Sequence, residues 1–259
     1  MSQSEPQLIF SHESSDGKVR VWQQNDRRWL DFDDGLIQSE IVLNHPETLP
    51  SPLNRAMLAG MMFVGQPQRV LLAGTGGGAT ARYVAHRFPD IKGEAIEKSE
   101  AVVAIARDYF DFPTTSNWRL IAEDIVTYVQ HCRQQYDLVV IDSAVDQKTP
   151  AWITGQNFLQ QCRCILTENG HVALNLLVDD AHQFLQYLAV IREVFDRCTV
   201  CFALPNYRNT VVLAFNTAPI YLPEEAEKRL PQLEEHWNLE FTEFYHQMLK
   251  DNPRQSGVF

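Results

Sequence analysis

The stretch Arg69–Phe88, RVLLAGTGGGATARYVAHRF, decides how the rest of the chain is read. It begins as an apolar strand, turns through Gly74, Gly76, Gly77 and Gly78, and leaves as a helix with apolar residues at helical spacing. Glycines permit a tight turn and let the backbone come close to a ligand. The polar part of that ligand then sits over the free N–H groups at the start of the helix. The spacing fits both G-x-G-x-G and G-x-G-x-x-A ending at Ala79, so glycine count leaves the choice open.

Working outward, the next strand, GEAIE, ends in Glu97, nineteen residues after Gly78. A doubly wound fold places there the acid that accepts hydrogen bonds from ribose hydroxyls. One strand further on, RLIAEDI puts Asp124 on the same expected edge. An acid at this point can accept from an adenine amino group, and Asp124 is equally an N-cap for IVTYVQHCR. Together these features indicate an adenosine-containing cofactor.

Apolar strands then alternate with amphipathic helices: RVLLA, GEAI, WRLIA, YDLVVID, GHVALNLL, CTVCFALP and NTVVLAFN. Such alternation means a parallel sheet with helices on both faces. Only the NYR region separates the last two strands, too little for a helical crossover, so they form a hairpin and bring in an antiparallel edge. The expected fold is α/β, a Rossmann-like doubly wound sheet of seven strands. A seven-stranded sheet with a closing hairpin and one glycine-rich turn is the arrangement of S-adenosylmethionine-dependent methyltransferases. A nicotinamide enzyme usually adds a catalytic domain, for which no segment is visible.

Upstream, residues 7 to 43 read as short strands separated by turn signals, a small N-terminal antiparallel β unit. LNRAMLAGMMFVG, after a proline-punctuated connection, has helical spacing, and the charged segment after Asn216 reads as one or two outer helices. The expected division is 1–45 for the β unit, 46–216 for the cofactor-binding domain and 217–259 for a helical extension.

Bulk properties narrow the function. The chain has 259 residues, 45% hydrophobic and 21% charged, with a net charge of −11 and no basic stripe, so nucleic acid is not an expected partner. No apolar run approaches the ~20 residues of a membrane span. The N-terminus lacks a secretion-signal pattern, and a cytoplasmic protein without a membrane partner is expected. Five cysteines suggest reduced thiols; Cys198 with Cys201 and Cys162 with Cys164 lack the further ligands of a zinc site, and no metal is expected.

The segment VVIDSAVDQKTP, residues 139–150, runs from a buried strand into polar residues, with Asp142 at the turning point. With it, the order of motifs resembles the spermidine synthase family, the aminopropyltransferases, and in particular their spermidine-synthase-like bacterial members. The resemblance runs from about Trp22 to Asn216 and includes GLIQSE, the glycine turn, Glu97, Asp124, YDLVVIDS and the closing hairpin. It implies that Gly74, Gly76 and Gly78 line decarboxylated S-adenosylmethionine, that Glu97 holds the ribose, that Asp124 faces the adenine and that Gln38 closes over the methionine-derived tail. It further implies that Asp142 orients and deprotonates an attacking amine, with Ser143 and Asp146 as candidate substrate-binding residues. An amine acceptor such as a polyamine and a homodimer come with it.

Departures from the family gather on the amine side. The acid of the family's glycine motif is Gly77 here, the second acid of its D-S-x-D-P motif is Val145 with Asp146 one place later, and the Tyr-His pair before the turn is replaced by Leu53, Asn54 and Arg55. Three readings stand: an aminopropyltransferase with a remodelled amine pocket, an S-adenosylmethionine-dependent methyltransferase, and a non-enzymatic homodimer that binds nucleosides.

Overall fold

The computed structural model describes residues 4–14, 17–145 and 147–259. Strands β1 (Gln7–Ser14), β2 (Gly17–Gln24), β3 (Arg27–Asp31) and β4 (Ser39–Val42) form an antiparallel sheet in chain order. Alternation along these strands puts Val19, Val21, Leu30 and Ile41 on one face. That face packs on Ile105, within a helix of the main domain, and on Phe110 just beyond its end. Two arginines fasten the contact. Arg28 donates to the Tyr109 carbonyl at 2.7 Å, and the fully buried Arg82 donates to the carbonyls of Pro46 (2.7 Å), Phe110 (2.7 Å) and Glu40 (3.1 Å).

The main sheet is built from β5 (Arg69–Ala73), β6 (Lys92–Glu97), β7 (Trp118–Ala122), β8 (Tyr136–Ile141), β9 (Leu166–Leu177), β10 (Thr199–Ala203) and β11 (Asn209–Phe215), in the order β10-β11-β9-β8-β5-β6-β7. The expected seven-stranded α/β sheet is therefore present. Its helices are α2 (Ala79–Arg87), α3 (Glu100–Tyr109), α4 (Ile125–His131), α5 (Gln156–Cys164) and α6 (Ala181–Val194). Burial on both faces follows the period-2 pattern of each strand. Val70, Leu72, Leu138 and Val140 join the core under α2 and α3, while Leu71, Ala73, Val139 and Ile141 join the core under α4, α5 and α6.

The hairpin differs in one respect from expectation. Strand β11 is antiparallel to both β9 and β10, so the antiparallel strand lies inside the sheet and β10 is the edge. After the sheet come two helices, α7 (Pro223–Trp237) and α8 (Phe241–Asp251). Asn252 then covers the edge: its Nδ2 donates to the Cys201 carbonyl at 2.6 Å and its Oδ1 accepts from the Cys201 N–H at 3.1 Å.

The segment 53–65 is not one helix. It forms the short α1 (Pro52–Ala56) and a separate 3-10 turn, Ala59–Met62. Every residue from Ala56 to Val64 is buried, so the segment has no polar face to offer solvent, and its 3-10 turn packs against α7 and α8. At Gly60 the backbone lies against the ring of His171, which a Cβ there would overlap. Among the described residues no helix is long and apolar enough to cross a membrane.

Candidate active site

Parallel register fixes the place of the site. Ala73 pairs with Ile96 and with Ile141, and Glu97 pairs with Ala122, so Gly74, Glu97, Asp124 and Asp142 all leave the sheet at its carboxyl edge. Ligands of open α/β sheets bind along this edge.

The turn after β5 needs its glycines. Gly74, Gly76 and Gly78 have φ of 80°, 50° and 75°, a region that other residues rarely adopt. Gly78 is also the left-handed N-cap of α2. The Glu97 carboxylate accepts a hydrogen bond from the Ser99 N–H at 3.0 Å, and the nearby backbone N–H groups of Gly76, Thr75 and Lys98 favour its charged form. Burial nevertheless holds its carboxyl above the ordinary range. Thus the acid expected to meet a ribose is fixed by the same loop that would cradle the adenosyl ligand.

Asp124 is the N-cap of α4, accepting from the Val126 N–H at 2.8 Å, and its other oxygen lies 3.2 Å from the exposed Lys98 ammonium. Gln38 is exposed, donates to Asp34 at 3.3 Å and lines a cleft together with Gly74, Gly78 and Asp142. The enclosed part of this cleft is about 30 Å³, room for roughly one water. Ser39, next to Gln38, lines the same cleft. Asn54, Thr75 and Thr80 also line the cleft, and none of them stood out as a candidate from sequence.

Asp142 is half-buried and is the one ionisable side chain lining the cleft among the described residues. Burial pushes its carboxyl above the ordinary value, while a hydrogen bond from Asn175 Nδ2 at 2.8 Å pulls the other way. Asn175 in turn accepts from Asn209 Nδ2 at 2.8 Å. Sequence reasoning missed both asparagines. The signal was present in GHVALNLLV, where a lone amide in an apolar strand must find partners.

On the amine side, Ser143 and Val145 lie in the segment that leaves β8. Ser143 follows Asp142, half-buried and away from the cleft lining. Val145 exchanges two backbone hydrogen bonds with Lys148, and its side chain is 59% exposed. Asp146 lies outside the described residues. At Gly77 a Cβ would stand 2.8 Å from the Phe110 ring and from Ser39 Oγ, so an acid has no room there without displacement. Among the described residues no group of three His, Cys, Asp or Glu side chains could hold a metal ion.

A glycine cradle with left-handed turns, an acid fixed on it and the free N–H groups of α2 fit an adenosyl ligand. Sheet order and site together define a protein of the S-adenosylmethionine-dependent methyltransferase fold class. The profile of the methyltransferase small domain matches residues 55–209, and the chain belongs to that family. Over nearly its full length it is similar to the polyamine aminopropyltransferase of Chromobacterium violaceum, 26% identical across 93% of this chain and 92% of that one. It is also 27% identical to the human eEF1A lysine and N-terminal methyltransferase, over 55% of this chain but 23% of that one. A probable spermidine synthase from Corynebacterium glutamicum shares the fold, with a TM-score of 0.75 at 20% identity over 87% of this chain and 86% of that one. The resemblance that the motif order implied is thus matched by sequence similarity to polyamine aminopropyltransferases and by a fold shared with spermidine synthases.

Proposed function

We propose that this chain is a transferase that takes decarboxylated S-adenosylmethionine, or a related adenosyl sulfonium, and moves an aminopropyl group to an amine acceptor. The observation that carries this reading is Asp142, a carboxylate tethered beside the glycine turn in a cleft with no other ionisable lining among the described residues. Likeness to a polyamine aminopropyltransferase along 93% of the chain supports it.

Bound in the cradle, the sulfonium supplies an alkyl carbon with a good leaving group. The chain's own residues hold and align. Gly74, Gly76 and Gly78 receive the adenosyl part, Glu97 accepts from the ribose hydroxyls, Asp124 accepts from the adenine amino group and Gln38 covers the tail. An alkylamine has a pKa near ~10.4 and reaches the site as a cation without a free lone pair. Asp142 attracts that cation, lowers its freedom to turn and accepts the proton it must lose. Ser143 and Asp146 belong to the acceptor side in this reading, which also includes a cytoplasmic homodimer joined through the N-terminal sheet.

A second reading, methyl transfer from intact S-adenosylmethionine, is favoured by one observation: Phe110 and Ser39 leave no space for an acid at Gly77 to hold an aminopropyl ammonium. Calorimetric titration with both forms of the cofactor, followed by product analysis with putrescine and other amines, separates the two. Preferential binding of the decarboxylated form with release of methylthioadenosine is expected. Selective binding of the intact form with S-adenosylhomocysteine as product would replace the first reading by the second.

A further inference from the structure

We propose that Asn175 and Asn209 act as a positioning pair that presents one chosen oxygen of Asp142 to the acceptor. The three side chains come from three adjacent segments of the sheet: Asp142 directly follows β8, Asn175 lies on β9 and Asn209 begins β11. Val211 pairs with Asn175, so Asn209, two residues away in an antiparallel partner, projects from the same face. Asn175 is 5% exposed, in the middle of an apolar strand. A buried amide there is costly unless its groups are bonded, and both are.

The direction of the chain matters more than its length. Asn209 Nδ2 donates to Asn175 Oδ1 at 2.8 Å, which fixes the orientation of the Asn175 amide and leaves its NH₂ facing Asp142. That NH₂ donates to Asp142 Oδ1 at 2.8 Å. One carboxylate oxygen is thereby occupied as an acceptor, and Oδ2 remains for an incoming N–H. A donor on Oδ1 also favours the ionised form of Asp142 against the burial that opposes it. No charged side chain among the described residues takes the place of this donor. The glycine turn and the 38–39 segment bring only uncharged side chains to the cleft, while Lys148 and the Arg208–Asp179 pair stand exposed. The cost of losing this donor would fall on proton transfer and not on cofactor binding, because the Asn175 side chain bonds Asp142 and Asn209 and neither Glu97 nor the glycine turn.

The proposal rests on the transferase reading for its catalytic consequence, but its test does not. The carboxyl carbon of Asp142 can be followed by NMR in protein labelled at aspartate, with its signal assigned by its absence in Asp142→Asn. Asn175→Leu should raise the Asp142 titration midpoint and leave the affinity for S-adenosylmethionine and its decarboxylated form unchanged. Asn209→Leu, at a half-exposed strand end, should raise it less, and it carries the same test if Asn175→Leu fails to fold. An unmoved midpoint overturns the positioning role, whatever the protein proves to transfer. Where turnover is measurable, kcat should fall roughly 10-fold or more in Asn175→Leu, as expected when an aligned group is let loose, with its acid limb moved to higher pH. A rise in cofactor Kd with an unchanged pH profile would instead mean a merely structural amide.

Discussion

Gly74 and Asp142 meet across the carboxyl edge of the sheet so closely that a Cβ on the glycine would overlap the aspartate's carbonyl oxygen. The contact ties the cofactor turn to the candidate base, with the Asp142 N–H donating to the Ala73 carbonyl at 2.9 Å beside it. Gly74→Ala should therefore damage both. An alanine at φ 80° costs about 1–2 kcal/mol before any overlap is relieved. Thermal unfolding should drop by several degrees and adenosyl ligand binding should be lost in calorimetry. Unchanged values in both would show that the crossing is not tight.

Asp142→Asn separates chemistry from folding. The amide still accepts from Asn175, so the packing is kept, while the proposed proton acceptor is gone. Turnover should vanish with cofactor affinity nearly intact. Burial raises the carboxyl above its ordinary 3.8, so the native state holds this proton more tightly than the unfolded chain. The contribution to stability is then full below that ordinary value and is lost as pH rises through the native one. Asp142→Asn should be more stable than the parent at pH 7, with the difference shrinking toward pH 4 in thermal melts. A less stable variant at pH 7 would contradict the assigned burial.

Glu97 faces the other half of the site. The backbone N–H groups of Thr75 and Gly76 favour its charge, so Glu97→Ala removes both the proposed ribose acceptor and the carboxylate that faces the glycine turn. Hydrogen bonds to charged groups are worth about 1.5–3 kcal/mol, and adenosyl affinity should fall by roughly 10- to 100-fold. Glu97→Gln keeps an acceptor for the turn and should lose less. Normal affinity in Glu97→Ala would remove the adenosyl site from this edge.

What could be read from sequence was local in kind. The glycine turn, Glu97 and Asp124 each announce themselves within one strand and the loop after it, and regular alternation then places all of them on one edge. Asn175 and Asn209 were not legible because they meet only through the pairing of β9 with β11, thirty-four residues apart. Segment 53–65 was misread for a different reason: helical spacing does not distinguish a one-sided apolar face from a stretch buried all round, as Ala56–Val64 is. That position 145 lacks the family's acid was legible in the sequence; the backbone pairing of Val145 with Lys148, which leaves Val145 exposed, is invisible to periodicity.

His171 supplies a prediction about acid stability that is independent of the active site. It lies wholly buried on β9, stacked on Phe215 at 5.3 Å and against Gly60. Burial pushes its imidazole down from 6.5 to about 4, outweighing the pull of Asp137. A histidine depressed in the native state binds its proton more readily once the chain unfolds, so stability is lost as pH falls from about 6.5 to about 4. The full effect of such a shift is up to about 3 kcal/mol. His171→Leu removes the titration and keeps an apolar side chain of similar bulk against Phe215. Its denaturant midpoint should decline less than the parent's between pH 7 and pH 4, even if it is somewhat lower at pH 7 from imperfect packing. Parallel declines in the two proteins would mean that His171 is protonated in the native fold at little cost, and that acid sensitivity arises elsewhere.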